Sequence, residues 1–335
     1  MKRLIGRASA LATALFIGAG AYAGEITAYT SLEEDDVRVY LDEFTKSHPD
    51  IQVNVLRLST GDLGARMLAE SSNPQHDVIW GWAVTQMADP RILEMIEPYK
   101  PAGIDEVKTE FKDPENRWFA TTGYLGAFCV NNPVLEQNGL PMPTSWEDLL
   151  DPVYKGHIVV PNPASSGTGY LQIASILQMK GEEEGWKFLE ALDANIAQYI
   201  KSGSKPCRAA AAGEYAIGAS FAFSAVKLIL EGYPITLVVP SEGAGYEMEV
   251  SGLMKTSDNK EDTKKFLDWL LTPAAATLYG ERSAISVVPG AEPTEAVLNA
   301  GLPEDVSTVL YKMDFNWSAQ NKERILAEWT KRIER

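Results

Sequence analysis

Three short segments rich in hydroxyl groups and glycine are the places where this sequence could hold a ligand. They cover residues 30–33, 59–61 and 165–169, and each follows a predicted strand and precedes a predicted helix. The first backbone N–H groups of a helix have no partner inside the helix, and they lie at the positive end of its dipole. Together the three junctions predict a cradle for a small anion that needs no Arg or Lys side chain.

The segment 165–169 is the strongest of the three because Gly167 and Gly169 allow backbone N–H groups to approach an oxyanion closely. Each junction taken alone also has a simpler interpretation as an ordinary helix cap. A glycine-rich loop after a strand is also typical of nucleotide-binding proteins, but the pattern G-x-x-x-x-G-K-S/T is absent from the chain. Nucleotide hydrolysis is therefore not expected.

Chemistry based on histidine or on a nucleophilic serine has less support. His48, His76 and His157 are scattered, and none lies three or four residues from another His or a Cys, the spacing that a metal site on a helix uses. His157 lies near Ser165 and Ser166 in the sequence, but the nucleophile motif G-x-S-x-G does not accompany it. A secreted hydrolase is the remote alternative.

The elements that must position these segments alternate along the chain. Predicted strands cover residues 26–29, 51–56, 77–80, 156–160, 215–220, 235–239 and 250–254. Predicted helices follow capping patterns at residues 31–34 and 59–62, and others cover residues 166–179, 182–192, 264–271 and 322–333. This alternation predicts a parallel, doubly wound α/β sheet. Because no repeat or flexible linker interrupts it, we expect two lobes joined by short crossings.

Composition sets the broad class of the protein. The 335 residues, 45% of them hydrophobic, are enough for about two folded domains with sizeable cores. There are 30 Lys and Arg residues against 46 Asp and Glu, which gives a net charge of −16. Phosphate backbones are bound by a positive field, so this balance argues against a nucleic-acid partner.

The chain begins with the pattern of an export signal. A basic segment at residues 2–7 precedes an apolar stretch at residues 8–19, and residues 21–23 have the A-x-A pattern that signal peptidase reads. We therefore predict a signal peptide over residues 1–23, cleavage between Ala23 and Gly24, and a mature protein in the periplasm. Export makes a disulfide between Cys129 and Cys207 possible, while two buried free thiols remain the alternative.

Residues 143–149 (PTSWEDL), 151–156 (DPVYKG) and 158–170 (IVVPNPASSGTGY) resemble the extracellular solute-binding proteins of ABC importers. More narrowly, they resemble the branch that holds ferric-ion-binding and 2-aminoethylphosphonate-binding proteins, and the likeness extends over the mature chain.

This resemblance implies a two-lobed periplasmic-binding-protein fold of type II, an α/β fold in which each lobe is a mixed, mostly parallel sheet flanked by helices. The first lobe would cover residues 24–124 plus about 246–295. The second would cover residues 125–245 plus about 296–335.

The same resemblance bears on the ligand. Ferric-binding relatives use a His after the first strand, a Glu after the third, and two adjacent Tyr in the second lobe. The corresponding positions here hold Glu33, Trp82, Phe223 and Ser224. Ferric ion requires oxygen ligands, which Trp and Phe lack, so iron is disfavoured. The anion-holding loop at residues 166–168 is kept, and residues 202–207 are most similar to the aminoethylphosphonate branch.

The resemblance therefore implies capture of 2-aminoethylphosphonate in a cleft between the lobes, with no enzymatic activity, metal or cofactor. The expected partners are ABC permease subunits in the inner membrane, and the protein is expected to be a monomer. Ferric ion, a phosphate ester, a sulfonate and a polyamine are the alternative ligands.

We expect the phosphonate group to contact hydroxyl and N–H groups of one set of residues, namely Ser31, Thr60, Ser165, Ser166, Gly167 and Thr168. The ammonium group is assigned to Glu33, whose alternative is a solvated acid in the first turn of a helix. The aromatic walls are assigned to Trp80, Trp82, Phe221 and Phe223. Asp35 and Asp36 are interpreted as solvated surface residues.

Overall fold

The computed structural model describes residues 24–333, and the predicted signal peptide over residues 1–23 lies outside the described residues. The strands are β1 (Gly24–Thr30), β2 (Ile51–Arg57), β3 (Val78–Ala83), β4 (Ile96–Glu97), β5 (Phe119–Asn131), β6 (Ile158–Pro161), β7 (Ile196–Ile200), β8 (Ile217–Phe221), β9 (Ile235–Val238), β10 (Tyr246–Met254) and β11 (Ile285–Ser286).

The α-helices are α1 (Glu34–Ser47), α2 (Thr60–Ala69), α3 (Val84–Met87), α4 (Pro90–Leu93), α5 (Asn132–Asn138), α6 (Gly167–Lys180), α7 (Glu182–Asp193), α8 (Lys205–Ala211), α9 (Ala222–Leu230), α10 (Lys260–Trp269), α11 (Pro273–Arg282), α12 (Glu295–Asn299) and α13 (Phe315–Arg332). Short 3₁₀ helices cover Ile104–Glu106, Thr109–Phe111, Asp148–Leu150, Pro152–Tyr154 and Val306–Thr308.

The first lobe is built on β1, β2, β3 and β10. β1 pairs in parallel with β2 and β3, and β10 runs antiparallel to β3. An aromatic cluster packs between this sheet and helices α1 and α10, in which Phe44 and Trp80 each make an edge contact with the Phe266 ring. Burial of such rings contributes a few kcal/mol each, so this cluster fixes the helices on the sheet.

The second lobe is built on β6, β7, β8 and β9. β6 pairs in parallel with β7 and β8. Its core holds Phe128, Trp146, Tyr154, Trp186 and Trp329, all buried, and the last of these brings helix α13 onto the lobe.

One long strand, β5, runs through both lobes. Its first half pairs antiparallel with β10 and β11, and its second half pairs antiparallel with β8 and β9. The parallel pairings are those that the strand–helix alternation predicts, and the antiparallel pairings come from β5, β10 and their neighbours. The predicted two-lobed α/β fold with mixed sheets is confirmed. The predicted division of the chain at residues 124 and 246 stays a prediction that the change of pairing partner along β5 supports.

Two local predictions at the start of the chain are wrong. Helix α1 begins at Glu34 with Glu33 at its N-cap, and no side chain caps it, so the capping box at residues 31–34 does not form. The Ser31 hydroxyl donates instead to the Gly81 carbonyl oxygen at 3.2 Å. Strand β3 runs to Ala83 rather than to residue 80, because Trp82 and Ala83 continue the pairing with β10.

A disulfide joins Cys129 on β5 to Cys207 on α8, which confirms the pairing that the sequence left open. The bond anchors α8 to the sheet of the second lobe, directly beside Arg208. Among the helices of residues 24–333, none combines the length and the apolar character that crossing a bilayer requires.

Candidate functional site

A cavity of about 70 Å³ lies between the two lobes. The first lobe contributes the ends of β1 and β2, the start of α2 and parts of β5 and β10. The second lobe contributes the starts of α6 and α9 and the segment before α8. On the side of α8 the cavity meets a wider open space of about 560 Å³, and both are bordered by Glu33, Arg57, Phe221 and Lys227. We call these the inner cavity and the outer space.

Helix α6 starts at the inner cavity, where its first N–H groups are free. Ser166 is the N-cap, and its side chain accepts a hydrogen bond from the Gly169 N–H at 3.3 Å. Within the described structure, the N–H groups of Gly167 and Thr168 reach no acceptor. Buried N–H groups are rarely left unpaired, so these two are positioned to bind an oxyanion at the positive end of the α6 dipole.

Hydroxyl groups line the cavity around the start of α6. Thr60 and Thr168 both line the cavity, and neither hydroxyl makes a hydrogen bond within residues 24–333. A methyl group added at Gly167 would lie 2.7 Å from the Thr60 hydroxyl and 2.9 Å from the Tyr124 hydroxyl. One added at Gly203 would lie 2.5 Å from the Thr168 hydroxyl. The two glycines therefore leave the space in which three hydroxyl groups meet the start of α6.

Tyr124 was missed by the sequence analysis because β5, which carries it, was not predicted. Burial raises its pKa well above 10, with the nearby carboxylates of Glu247 and Glu249 as further causes. The phenol therefore stays protonated and can donate a hydrogen bond.

Basic side chains also line the inner cavity, which corrects the expectation of a cradle without Arg or Lys. Arg57, Lys227 and Arg282 all border it. Each of them is held by acids. Arg57 contacts Glu33 at 3.1 Å, while Lys227 and Arg282 contact Asp36 at 2.5 Å and 2.6 Å. These cations raise the local potential, but their positions are set by carboxylates of the protein.

Glu33 borders the cavity as predicted, but two arginines engage its carboxylate. Oε1 pairs with Arg57, and Oε2 pairs with Arg208 at 2.9 Å. Arg208 belongs to α8, so this ion pair joins the lobes. Asp35 and Asp36 likewise reach Lys227 on α9 of the second lobe. The interpretation as a solvated surface residue is wrong for Asp36, which these contacts bury, whereas the side chain of Asp35 stays 45% exposed.

Glu249, on β10, is an acid of the cavity wall that the sequence analysis did not single out. The Thr122 hydroxyl donates to its Oε2 at 2.5 Å. Burial raises the pKa of Glu249 to about 7, with the negative charges of Asp36 and Glu33 as smaller causes. Its position in the middle of an apolar sequence stretch was a usable signal, because charged residues are seldom buried there without a role.

Three predicted site residues do not border the cavity. Trp80 is packed in the core of the first lobe against Tyr40 and Phe266. Trp82 is equally buried, because β3 is longer than predicted, and its indole N–H donates to the Thr60 carbonyl oxygen at 3.1 Å. It therefore supports Thr60 from behind. The Ser165 hydroxyl donates to the Lys201 carbonyl oxygen instead.

The remaining predicted residues, Ser31, Thr60, Ser166, Gly167, Thr168, Phe221 and Phe223, all lie on the cavity wall. The two phenylalanines reach the wall from two consecutive elements. Phe221 ends strand β8, whereas Phe223 lies in the first turn of α9, so they do not share one face of a strand.

Comparison with known proteins agrees with this architecture. Residues 91–315 match the family of bacterial extracellular solute-binding proteins. An uncharacterized protein of Haemophilus influenzae is 32% identical over 292 residues, which cover 85% of this chain and 84% of that one. The structure of the periplasmic binding protein AfuA from Actinobacillus pleuropneumoniae, with exogenous fructose-6-phosphate bound, is 28% identical with a TM-score of 0.85, and the match covers 93% of this chain and 99% of that one.

A ferric ion-binding protein A from Pasteurella haemolytica, solved in its apo form, shares the fold. It is 21% identical with a TM-score of 0.76, and the match covers 92% of this chain and 98% of that one. The match to the family model, the two lobes and the cavity between them lead to one conclusion. The chain belongs to the family of bacterial extracellular solute-binding proteins, and it is a solute-binding component of the ABC transporter type.

Proposed function

We propose that this protein captures a small organic phosphonate or phosphate ester in the inner cavity and delivers it to an ABC permease from the periplasm. The named candidate is 2-aminoethylphosphonate, as the sequence analysis expected. The phosphoryl group binds at the start of α6, and the rest of the ligand extends toward β10. The protein acts as a binding protein, and no bond of the ligand is made or broken.

One observation carries this proposal: hydrogen-bond donors without acceptors line one cavity around the start of α6. They are the N–H groups of Gly167 and Thr168 and the hydroxyls of Thr60, Thr168 and Tyr124. A tetrahedral group with three oxygen atoms can accept from all of them, and hydrogen bonds to a charged acceptor are about twice as strong as neutral ones. The three cations of the cavity wall, Arg57, Lys227 and Arg282, offset the negative charges of Glu33 and Asp36, with which they are paired.

Two other ligands have specific support. AfuA, which was solved with fructose-6-phosphate, supports a sugar phosphate, a larger ligand whose phosphate would use the same donors. The fold shared with a ferric-ion-binding protein supports ferric ion. The residues at the corresponding iron-ligand positions do not favour it, because Trp82 is buried behind Thr60 and Phe223 offers no oxygen atom.

Calorimetric titration of the purified protein with 2-aminoethylphosphonate, fructose-6-phosphate, inorganic phosphate and ferric citrate tests the proposal. A phosphonate or phosphate ester should bind, and at 100 times its Kd it should stabilise the fold by about 2.7 kcal/mol. Thr168→Val should weaken the binding of every phosphoryl ligand by roughly 10- to 100-fold, because it removes a hydrogen bond to a charged group.

Thr45→Val is the matched control, because this exposed threonine bonds to a carbonyl of its own helix far from the cavity. It should bind every ligand as the unchanged protein does. Binding of ferric citrate alone would refute the proposal. Equal affinity of Thr168→Val and Thr45→Val for phosphonates would exclude the Thr168 hydroxyl from the site.

A further inference from the structure

We propose that Glu249 binds a cationic amine of the ligand, in the same inner cavity that holds the phosphoryl group. This inference rests on the proposed function and adds to it the chemical class of the ligand's second group. It also moves the amine site away from Glu33, where the sequence analysis placed it.

The other acids of the cavity wall already have cationic partners. Glu33 is paired with Arg57 and Arg208. Asp36 is paired with Lys227 and Arg282. A ligand amine would have to compete with a fixed guanidinium or ammonium group for either carboxylate. Glu249 differs, because it takes part in no ion pair among the described residues.

Glu249 also keeps one carboxylate oxygen free. Oε2 accepts from Thr122, whereas Oε1 accepts no hydrogen bond from any residue of the described structure. Because Glu249 lines the inner cavity, a bound ligand can reach this oxygen. The start of α6 and Glu249 thus both line the inner cavity, the first offering donors and the second an acceptor.

Glu247, two residues earlier on β10, is a comparable buried acid whose contacts are purely structural. It is buried, and burial raises its pKa to about 7 as it does for Glu249. Its two oxygens are nevertheless both used, since Oε2 accepts from the Thr85 hydroxyl at 2.5 Å and Oε1 from the Met248 N–H at 3.1 Å. Glu247 does not border the inner cavity.

The surroundings of Glu249 favour a full positive charge over a neutral hydroxyl group. The negative charges of Asp36 and Glu33 act on Glu249, and the positive charge of Lys227 opposes them. A desolvated carboxylate close to other carboxylates is stabilised by a cation, while a hydroxyl group supplies only a hydrogen bond. The raised pKa of Glu249 is the expected property of such a carboxylate when no ligand is bound.

The test compares two ligands of nearly equal size, 2-aminoethylphosphonate and 2-hydroxyethylphosphonate, by calorimetry at pH 8. The unchanged protein should prefer the amine by roughly 100-fold. Glu249→Gln should remove most of this preference, weakening the amine by roughly 100-fold and the hydroxyl compound by less than about 3-fold. Glu247→Gln should leave the preference in place. Thermal unfolding of each variant without ligand verifies that it is folded.

The outcomes separate the two proposals. If both phosphonates bind equally well and Glu249→Gln weakens them equally, the amine site is refuted while phosphoryl binding stands. If 2-hydroxyethylphosphonate binds more tightly than 2-aminoethylphosphonate, and Glu249→Gln weakens its binding more, then Glu249 accepts a hydrogen bond from a hydroxyl group. The inference is refuted by this outcome too. If neither phosphonate binds, and phosphate esters also fail, the proposed function itself falls.

Discussion

The backbone N–H of Gly61 donates a hydrogen bond of 2.8 Å to the carbonyl oxygen of Ser165. Gly61 lies in the first turn of α2 on the first lobe, and Ser165 precedes α6 on the second. The bond therefore joins the lobes beside the inner cavity. It brings the Thr60 hydroxyl close to Gly167, so the donors for the phosphoryl group come together only when the lobes are in contact.

We expect Gly61→Ala to weaken ligand binding by at least about 10-fold without unfolding either lobe. The added methyl group would lie 2.1 Å from the Ala164 carbonyl oxygen, a backbone atom that cannot move aside alone. The lobes would have to separate, and a ligand favours contact between them only through interactions that the open state lacks. Calorimetry measures the affinity, and small-angle X-ray scattering measures the separation.

Gly126→Ala is the control for this change, because its added methyl group has its nearest neighbour at 3.7 Å, an ordinary contact. It should keep the affinity of the unchanged protein. Full affinity of Gly61→Ala would show that the contact between Gly61 and Ser165 is dispensable for binding.

Glu33→Gln should weaken 2-aminoethylphosphonate and 2-hydroxyethylphosphonate by the same factor, about 3- to 10-fold. The substitution removes the charge that pairs with Arg57 and with Arg208, so it loosens the contact between the lobes for any ligand. Calorimetry with both compounds checks this. If Glu33→Gln lost affinity only for 2-aminoethylphosphonate, Glu33 rather than Glu249 would be the residue that binds the ammonium group.

Removal of the disulfide should lower the free energy of unfolding by roughly 4 kcal/mol. Cys129 and Cys207 are 78 residues apart, and the bond restricts the unfolded chain over that length. Urea denaturation of the variant Cys129→Ala with Cys207→Ala measures the loss. The unchanged protein under reducing conditions should unfold at nearly the same urea concentration as the double variant, and a midpoint equal to that of the oxidised protein would contradict the prediction.

Glu247 and Glu249 should lower the stability of the unliganded protein as the pH rises from about 4.5 to above 7, while His76, whose burial lowers its pKa from 6.5 to about 4, acts in the opposite direction below pH 6.5. Burial raises the pKa values of Glu247 and Glu249 from 4.5 to about 7. In this interval the folded state holds protons that the unfolded state has released, so a rise in pH favours unfolding. Each residue contributes on the order of 3 kcal/mol across the interval.

Glu247→Gln should remove on the order of 3 kcal/mol of the stability that is lost between pH 5 and pH 8, since it removes one of the two buried carboxyl groups that titrate there. Urea denaturation at pH 5 and at pH 8 measures the difference. Equal pH dependence in the variant and in the unchanged protein would show that Glu247 does not hold a proton in the folded state at neutral pH.

Much of the fold could be predicted from the sequence because its parallel strands are short apolar runs separated by amphipathic helices. β5 could not. Its sequence, FATTGYLGAFCVN, is buried along nearly its whole length and carries two glycines, so neither alternation nor a uniform apolar run marks it. Missing β5 also meant missing Tyr124, the hydroxyl group that lies closest to Gly167 after Thr60.

The site was predictable where it depends on one junction and not where it depends on contacts between distant segments. The loop before α6 is marked by its own serine and glycine residues, and it borders the inner cavity. The pairing of Glu33 with Arg208 joins residues 175 positions apart. Trp82 was misplaced because β3 ends at Ala83, about three residues later than predicted, and the end of a strand decides which side chains face the cleft. Such long-range relationships have no local signal.

The decisive measurement is a crystal structure with 2-aminoethylphosphonate bound. Phosphonate oxygens should lie within about 3 Å of the N–H groups of Gly167 and Thr168 and of the Thr60 hydroxyl, with the ammonium group on Glu249. A phosphonate bound instead by Arg57 and Arg208 in the outer space, with the start of α6 uncontacted, would contradict this prediction.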